Sequence, residues 1–325
     1  IETVTYMLKG EFEHQDSTGA KGRMTPGDVQ WMKTGAGIIH SEMPAMTDGK
    51  LLGFQLWINM PAKLKKNKPK LIFLAAAKVG GIYSNNRSKA DYIYENIMIQ
   101  TNIIHGAFKS NIRNLIFLGS SCIYPKLSKQ PIKESYLLTG KLEETNDAYA
   151  IAKIAGIKMC ESYNIQYNTN YKCLMPTNTF GPNDNYHNLN SHFIPALIRK
   201  IHDIEKKNLN KLIIWGNGSP RREVIYVDDI ADACIYFMNK SNTSSLINIG
   251  TGIDYTIKKY AELFLKILVP NRKVKLVFDK SKPNGVPRKL MNINLAKKYG
   301  WKYKTNFKDA IIKTYQDYKL SIKNK

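Results

Sequence analysis

Two hydrophobic rhythms divide the chain. Up to about residue 60 apolar and polar positions alternate in short runs broken by turns: ETVTYMLKG ends at Gly10, EFEHQDSTGAKG reads as a hairpin arm and its turn, MTPGDVQWMKTGAGIIHSEMP carries Pro-Gly and Gly-x-Gly punctuation, and LLGFQLWINMP is a further apolar strand. Short strands at this spacing predict a sandwich or small barrel. After residue 67 the rhythm changes. LIFLAAA and NLIFLGS are continuous apolar runs, as strands covered on both faces require. Between them SKADYIYENIMIQTNIIHGAFKSN predicts a helix of several turns. A helix from about Asp147 to Tyr163, a strand YKCLMPT and a helix near FIPALIRKIHDIEKK follow. Then come short runs LIIWG, REVIYV, LINIG and VKLVF, and a closing helix around 307–320. Strands alternating with helices predict an α/β fold with a mostly parallel sheet. AKLKKNKPK is the candidate linker between the two textures.

With 325 residues, 43% of them hydrophobic, the chain can bury sizeable cores, and no run reaches the eighteen apolar residues of a membrane span. The opening IETVTYML has no methionine, reads as mid-strand rather than as a secretory signal, and leads us to expect a fragment. The formal charge of +23 is compatible with an anionic substrate. No nucleic-acid motif accompanies it, so the charge is read as lysines spread over solvated faces, with neither nucleic acid nor membrane as partner. Cys122, Cys160, Cys173 and Cys234 form no C-x-x-C pair or zinc spacing, the pattern of a reducing cytoplasm.

Three pieces carry candidate chemistry. FLGSSCIYP puts Ser120, Ser121 and Cys122 at the C-terminal end of a predicted strand, where open α/β sheets bind ligands. DAYAIAK puts Tyr149 and Lys153 four residues apart, on one helix face. SHFIPAL sets His192 just before a helix. A free tyrosine, with a pKa of about 10, trades protons poorly at neutral pH. A nearby ammonium is expected to lower that pKa, and a serine hydroxyl can hold a substrate oxygen, so the three together can protonate a carbonyl oxygen as a hydride reaches its carbon. Y-x-x-x-K alone arises often by chance on helices. The serine at the preceding strand end is what turns the reading toward catalysis. On the residues alone, Cys122 reads sooner as a buried strand-end thiol and His192 as a polar helix start.

LAAAKVGGI, FLGSSCIYPKLSKQPIKES, AYAIAKIAGIKMCESYN, MPTNTFGPNDN, NSHFIPALIRK and SKPNGVPRKL follow one another in order and closely resemble the GDP-L-fucose synthases, extended short-chain dehydrogenases/reductases, from about Lys68 to the C-terminus. The resemblance implies NADPH-dependent 3,5-epimerisation and 4-reduction of a GDP-4-keto-6-deoxy-mannose. It implies a reductase triad of Ser120, Tyr149 and Lys153, with Lys153 also on the nicotinamide ribose, and an acid/base pair of Cys122 and His192 for the epimerisations. Leu118, Gly119, Ser120, Ser121, Pro176, Thr177, Asn178 and Thr179 would line the cofactor. His192, Lys200, Trp215, Arg222 and Asn284 would face the substrate, Arg222 at its diphosphate, though the family leads us to expect arginine at Lys200 and an acid at Asn284. A homodimer through the helices near 88–108 and 147–163 is also implied.

The family opens on a strand, a G-x-x-G-x-x-G turn and a helix that hold the cofactor pyrophosphate. This sequence has no such turn before LIFLAAAK. Instead, PGDVQWMKTGAGIIHSEMP, LLGFQLWINMPAK and the opening ETVTYMLKGEFEHQDSTG resemble pirin, a metal-binding bicupin. The resemblance implies that His40 and Glu42, two apart on a strand and so facing one side, match two of the four iron ligands. The other two would fall before Ile1, and two ligands leave a divalent site incomplete, so iron is not expected here. The expected organisation is a partial pirin-like cupin over 1–63, a junction at 64–67, and over 68–325 a Rossmann sheet truncated at its N-terminal side, with a smaller substrate-binding subdomain built from parts of 176–325. A metal-binding cupin module and a non-catalytic fusion remnant are the alternative readings.

Overall fold

The computed structural model describes residues 2–17, 19–33, 40–45, 52–58, 71–188, 191–282 and 284–323. The expected junction at 64–67 and the tether AKLKKNKPK lie outside them. The first part is all strand, as its alternation predicts: β1 (Glu2–Lys9), β2 (Phe12–Asp16), β3 (Lys21–Met24), β4 (Val29–Lys33), β5 (His40–Pro44) and β6 (Leu52–Ile58). They form two three-stranded antiparallel sheets, β4-β1-β6 and β3-β2-β5.

The second part begins with β7 (Leu71–Leu74), α1 (Ile82–Arg87), α2 (Lys89–Lys109), β8 (Asn114–Leu118), α3 (Asp147–Tyr167), β9 (Asn170–Pro176), β10 (Asn178–Phe180) and α4 (Phe193–Lys206). It continues through β11 (Lys211–Trp215), β12 (Arg221–Tyr226), α5 (Val227–Asn239), β13 (Leu246–Ile249), β14 (Asp254–Thr256) and α6 (Ile257–Leu268). It closes with β15 (Lys275–Asp279), β16 (Arg288–Lys289), α7 (Asn294–Lys298) and α8 (Phe307–Lys323). The strand expected over LIFLAAA stops at Leu74, and the helix expected to end at Tyr163 runs on to Tyr167, where Asn168 closes it in the left-handed region. Helices α5 and α6 were not among the expected elements.

The parallel sheet runs β13-β9-β8-β7. Strands β8, β9 and β13 are covered on both sides, whereas Leu71 and Phe73 of β7 stay 40% and 42% exposed, against the expectation for LIFLAAA. Leu115, Phe117, Tyr171, Cys173 and Met175 pack with α2 and α3, whereas the alternate residues Ile116 and Leu174 pack with α5 and α7. Lys172 points to the second side and stays buried because its ammonium caps α5, donating to Phe237 O at 2.7 Å and to Lys240 O. A second apolar core is built from α4, α6, α8, β11 and β12.

Among the described residues β7 pairs with β8 and with no strand on its other side. The N-terminal sheet lies beside it. Tyr6 is buried in the same apolar cluster as Leu74 and Ile99, with Leu8, Val29 and Trp31 packed against that cluster. Met7, on the opposite side of β1, packs with Phe12 and Met24 of the second small sheet. Asn102 of α2 donates to Gly27 O at 3.1 Å. The two textures therefore share one core.

Two buried carboxylates fix the strands around the future site. Asp254, with 4% of its side chain exposed, accepts from Arg221 of β12 at 2.8 Å and from Arg288 of β16 at 2.7 Å. Glu223 of β12 accepts from Gly252 N at 2.6 Å and Met291 N at 2.8 Å, and burial pushes its pKa up to about 7.

Two outcomes follow from this packing. Tyr6→Ala is expected to cost about 3 kcal/mol, the low end for emptying a buried aromatic site, and to shift a single cooperative unfolding transition of the whole chain. An early transition that leaves the main one unmoved would contradict the shared core. Asp254→Ala is expected to cost about 2 kcal/mol at neutral pH. That is less than for a fully buried pair, because both guanidiniums are partly exposed. Burial raises the Asp254 pKa, but the bonds from Arg221 and Arg288 outweigh it and leave the group below its ordinary value. The stabilisation is thus present above the unfolded value of about 3.9 and is lost as pH falls through the folded one. The gap between variant and wild type, read by denaturant titration, should close toward low pH.

Candidate active site

The site forms where β8 ends. Gly119 lets the chain leave the strand beside Met175: a Cβ there would meet the Met175 methyl at 2.1 Å. Ser120 is extended, and a single 3-10 turn over Ser121–Ile123 follows, capped by the Ser120 hydroxyl accepting from Cys122 N at 3.3 Å. This turn aims Ser120 and Cys122 toward the start of α3, where Tyr149 and Lys153 are both buried. Ser120, Cys122, Tyr149 and Lys153 therefore come together as their spacing predicts.

Their electrostatics differ from the expectation. Tyr149 is raised above the ordinary phenol range, first by burial and then by the neighbouring Cys122. Its hydrogen bond with Ser120 pulls the other way. Lys153 does not lower it, because the ammonium is turned to Leu118 O at 2.9 Å and lies over the Phe117 ring, 4.6 Å from its centroid. Burial lowers Lys153 to about 8. The pair is thus dry, with Lys153 still largely an ammonium at neutral pH and Tyr149 a neutral phenol, the form that can donate a proton.

The segment after β9 is tied to β12. Pro176 ends the strand, Thr177 Oγ1 donates to Glu223 O at 3.1 Å, Asn178 Nδ2 donates to the same oxygen at 2.8 Å, and Thr179 Oγ1 donates to Thr177 O. Among the described residues Lys153 spends one of its three N–H donors on a hydrogen bond, to Leu118 O. A buried ammonium with donors to spare, held at the end of β8, fits the hydroxyls of a nicotinamide ribose.

On the other side of Cys122 the surroundings are cationic. Asn146, the residue before α3, donates Nδ2 to Sγ at 3.3 Å, and Lys289 of β16 donates Nζ to it at 3.5 Å. Burial raises the Cys122 thiol, but Lys289, the Ser120 hydroxyl and Arg222 outweigh it and leave it lowered. Arg222 reaches Val286 O at 2.6 Å. His192 is the residue before α4. It is exposed at the rim, yet crowded by protein atoms, and desolvation and then the Lys289 charge lower its pKa. Neither Asn146 nor Lys289 was singled out from the sequence.

The remaining expected residues form a second cluster at the end of β11. Lys200 donates to Ile213 O at 2.8 Å and lies 5.7 Å from the Trp215 ring centroid, with Lys282 at the same distance. Asn284 accepts from Asn217 N at 2.8 Å, closing the turn after Trp215. Trp215 is 43% exposed and offers a flat face between two cations.

His40 and Glu42 lie on β5, opposite Asp16 and His14 of β2. The His40 side chain falls outside the described residues, and Glu42 is exposed. Among the described residues no group of three or more His, Cys, Asp or Glu could hold a metal ion. Nor is any helix among them long and apolar enough to cross a membrane.

Residues 43–250 match the NAD dependent epimerase/dehydratase family, and residues 1–58 match Pirin. The chain is 50% identical over 254 residues to the GDP-L-fucose synthase of Escherichia coli K12, covering 75% of this chain and 78% of that protein. To the GDP-L-fucose synthase of Sinorhizobium fredii it is 45% identical over 255 residues, covering 78% and 81%. Among solved structures, a GDP-mannoheptose C4 reductase from Campylobacter jejuni with NADP bound superposes with a TM-score of 0.69 at 40% identity, covering 79% of this chain and 83% of that one. A GDP-L-fucose synthetase from Naegleria fowleri, at 24% identity and a TM-score of 0.70, shares the fold. With its parallel sheet, its Ser-Tyr-Lys set and these relatives, the chain belongs to the NAD dependent epimerase/dehydratase family, alongside the GDP-L-fucose synthases, with a pirin-like segment at its N-terminal side.

Proposed function

We propose that the chain is a sugar-nucleotide epimerase/reductase of the GDP-L-fucose synthase type. It inverts C3 and C5 of a GDP-4-keto-6-deoxy-mannose and reduces the C4 ketone with NADPH. The observation that carries the reading is the sharing of one strand end by two kinds of chemistry: a dry Ser120–Tyr149–Lys153 set on one side of Cys122 and a cationic lining on the other.

The C4 ketone acidifies the protons at C3 and C5 by stabilising the enolate. Cys122 and His192 form the pair that removes a proton and returns one on the opposite face at each carbon. Thiol and imidazole both change state near neutral pH, which suits a reversible exchange. Ser120 holds the C4 oxygen and Tyr149 donates its proton there during reduction, stabilising the developing alkoxide. NADPH supplies the hydride to C4 when bound. Leu118, Gly119, Ser121, Lys153 and 176–179 would hold its nicotinamide end. Arg222 neutralises the diphosphate, and Trp215 with Lys200, Lys282 and Asn284 receives a further part of the nucleotide.

We place the pirin-like part at 1–63, its junction at 64–67 and the catalytic part at 68–325. A homodimer in the cytoplasm is the form proposed, supported by Ile151 and Ile165, which are 47% and 86% exposed on the outer face of α3.

Single substitutions should separate the half-reactions. Tyr149→Phe is expected to lower NADPH oxidation about 100-fold or more. It should still exchange the C3 and C5 protons of GDP-4-keto-6-deoxy-mannose for solvent deuterium, read by NMR. Cys122→Ser is expected to lose the exchange. Equal loss of both activities in both variants would contradict the assignment.

A further inference from the structure

The sulfur of Cys122 sits between two donors brought from distant parts of the chain. Asn146 Nδ2 lies at 3.3 Å and Lys289 Nζ at 3.5 Å, the second contact spanning 167 residues. We propose that Asn146 and Lys289 are positioning residues that hold Cys122 as a thiolate, making it the proton acceptor of the site.

The donor inventory supports this choice of protonation state. A thiol needs an acceptor for its S–H, whereas a thiolate needs donors. The Asn146 amide could turn either atom to the sulfur, so alone it does not decide. Lys289 does, because an ammonium has three donors and no acceptor. Lys289 itself is held by its neighbour: Arg288, on the same two-residue strand, is bound to buried Asp254. The register Arg222↔Lys289 then sets the ammonium beside the Arg222 strand. These are the contacts that keep a flexible lysine pointed at one atom.

The charged and titratable groups around the sulfur come from several elements. Lys289 on β16 and Arg222 on β12 favour the thiolate. Tyr149 on α3 is neutral. Arg288 lines the same cleft and is bound to Asp254, while Glu143, the carboxylate lining the cleft, is paired with Lys126 at 3.1 Å. The Lys289 charge also reaches His192 and disfavours its protonated form. One ammonium therefore acts on both members of the exchanging pair, through the thiolate it binds and the imidazolium it disfavours.

The role of the thiolate in epimerisation rests on the function proposed above, but its ionisation can be read without substrate. The pH midpoint of thiolate absorbance near 240 nm, taken as wild type minus Cys122→Ser, is expected below the ordinary thiol value of about 8.5. Lys289→Met should raise it by about one pH unit or more. Lys289→Arg should keep it low. Asn146→Ala should raise it less and leave the His192 titration, followed by NMR, in place. In Lys289→Met the His192 midpoint should rise as well, which a merely structural defect would not produce. A Cys122 midpoint at the free-thiol value in the wild type, or one unmoved in both Lys289→Met and Asn146→Ala, would overturn the proposal. Should Lys289→Met not fold, Asn146→Ala alone decides by the same criterion. A low midpoint with no proton exchange in the sugar would instead defeat the functional reading and leave the thiolate assignment standing.

Discussion

The bond between the buried Asp254 carboxylate and the two guanidiniums of Arg221 and Arg288 is the constraint on which the site depends. Strand β16 is two residues long and has few backbone hydrogen bonds of its own to hold it. Its side chains, Arg288 and Lys289, would be repelled by Arg221 and Arg222 opposite them on β12. One carboxylate with two oxygens bridges Arg221 and Arg288, and Lys289 is then left to reach Cys122 in the cleft. Glu223 does the same work on the backbone, tying Gly252 and Met291 to β12. Four cationic side chains stand together because two acids beneath them are buried and satisfied.

That arrangement gives the two sides of Cys122 opposite electrostatic characters. Toward α3 the surroundings are apolar: Tyr149 is raised and Lys153 lowered, so both move toward their neutral forms. Toward β12 and β16 the surroundings are positive. Reduction of a ketone uses a neutral phenol that gives its proton at the moment a charge develops on oxygen. Abstraction of a carbon-bound proton uses an anion that already exists. In the proposed reaction a single strand end would serve both steps, with a dry helix face on one side of it and a charged strand pair on the other.

The parts legible in the sequence were those with local spacing. Tyr149 and Lys153 sit at i and i+4 on a helix, and Ser120 and Cys122 directly follow an apolar run, so the fold class, the strand end and the helix face could be read together. The pKa order was not legible, since it depends on how deeply the pair is buried and on Lys153 turning to Leu118 O rather than to the phenol. Asn146 and Lys289 could not be found by spacing, because one is a loop residue and the other meets its partner across 167 residues. The signal available was the basic pair Arg288–Lys289 next to Pro287, in a segment otherwise read for Asn284. Helices α5 and α6 were overlooked among short apolar runs, although the Asp-Asp of the first turn of α5 and the threonine cap of α6 mark where they start.

The N-terminal strands enter the core beside β7 through Tyr6, Leu8, Val29 and Trp31, so the pirin-like segment covers part of the catalytic sheet rather than standing apart from it. The proposed assignment of both epimerisation and reduction to one site is open to direct measurement. It is tested most directly by incubating the whole chain with GDP-4-keto-6-deoxy-mannose and NADPH in deuterium oxide and reading the product by NMR. The expected product is a GDP-6-deoxyhexose of the fucose configuration with deuterium at C3 and C5 and hydrogen at C4. A reduced product that keeps hydrogen at C3 and C5, or no deuterium exchange and no NADPH oxidation at all, would contradict it.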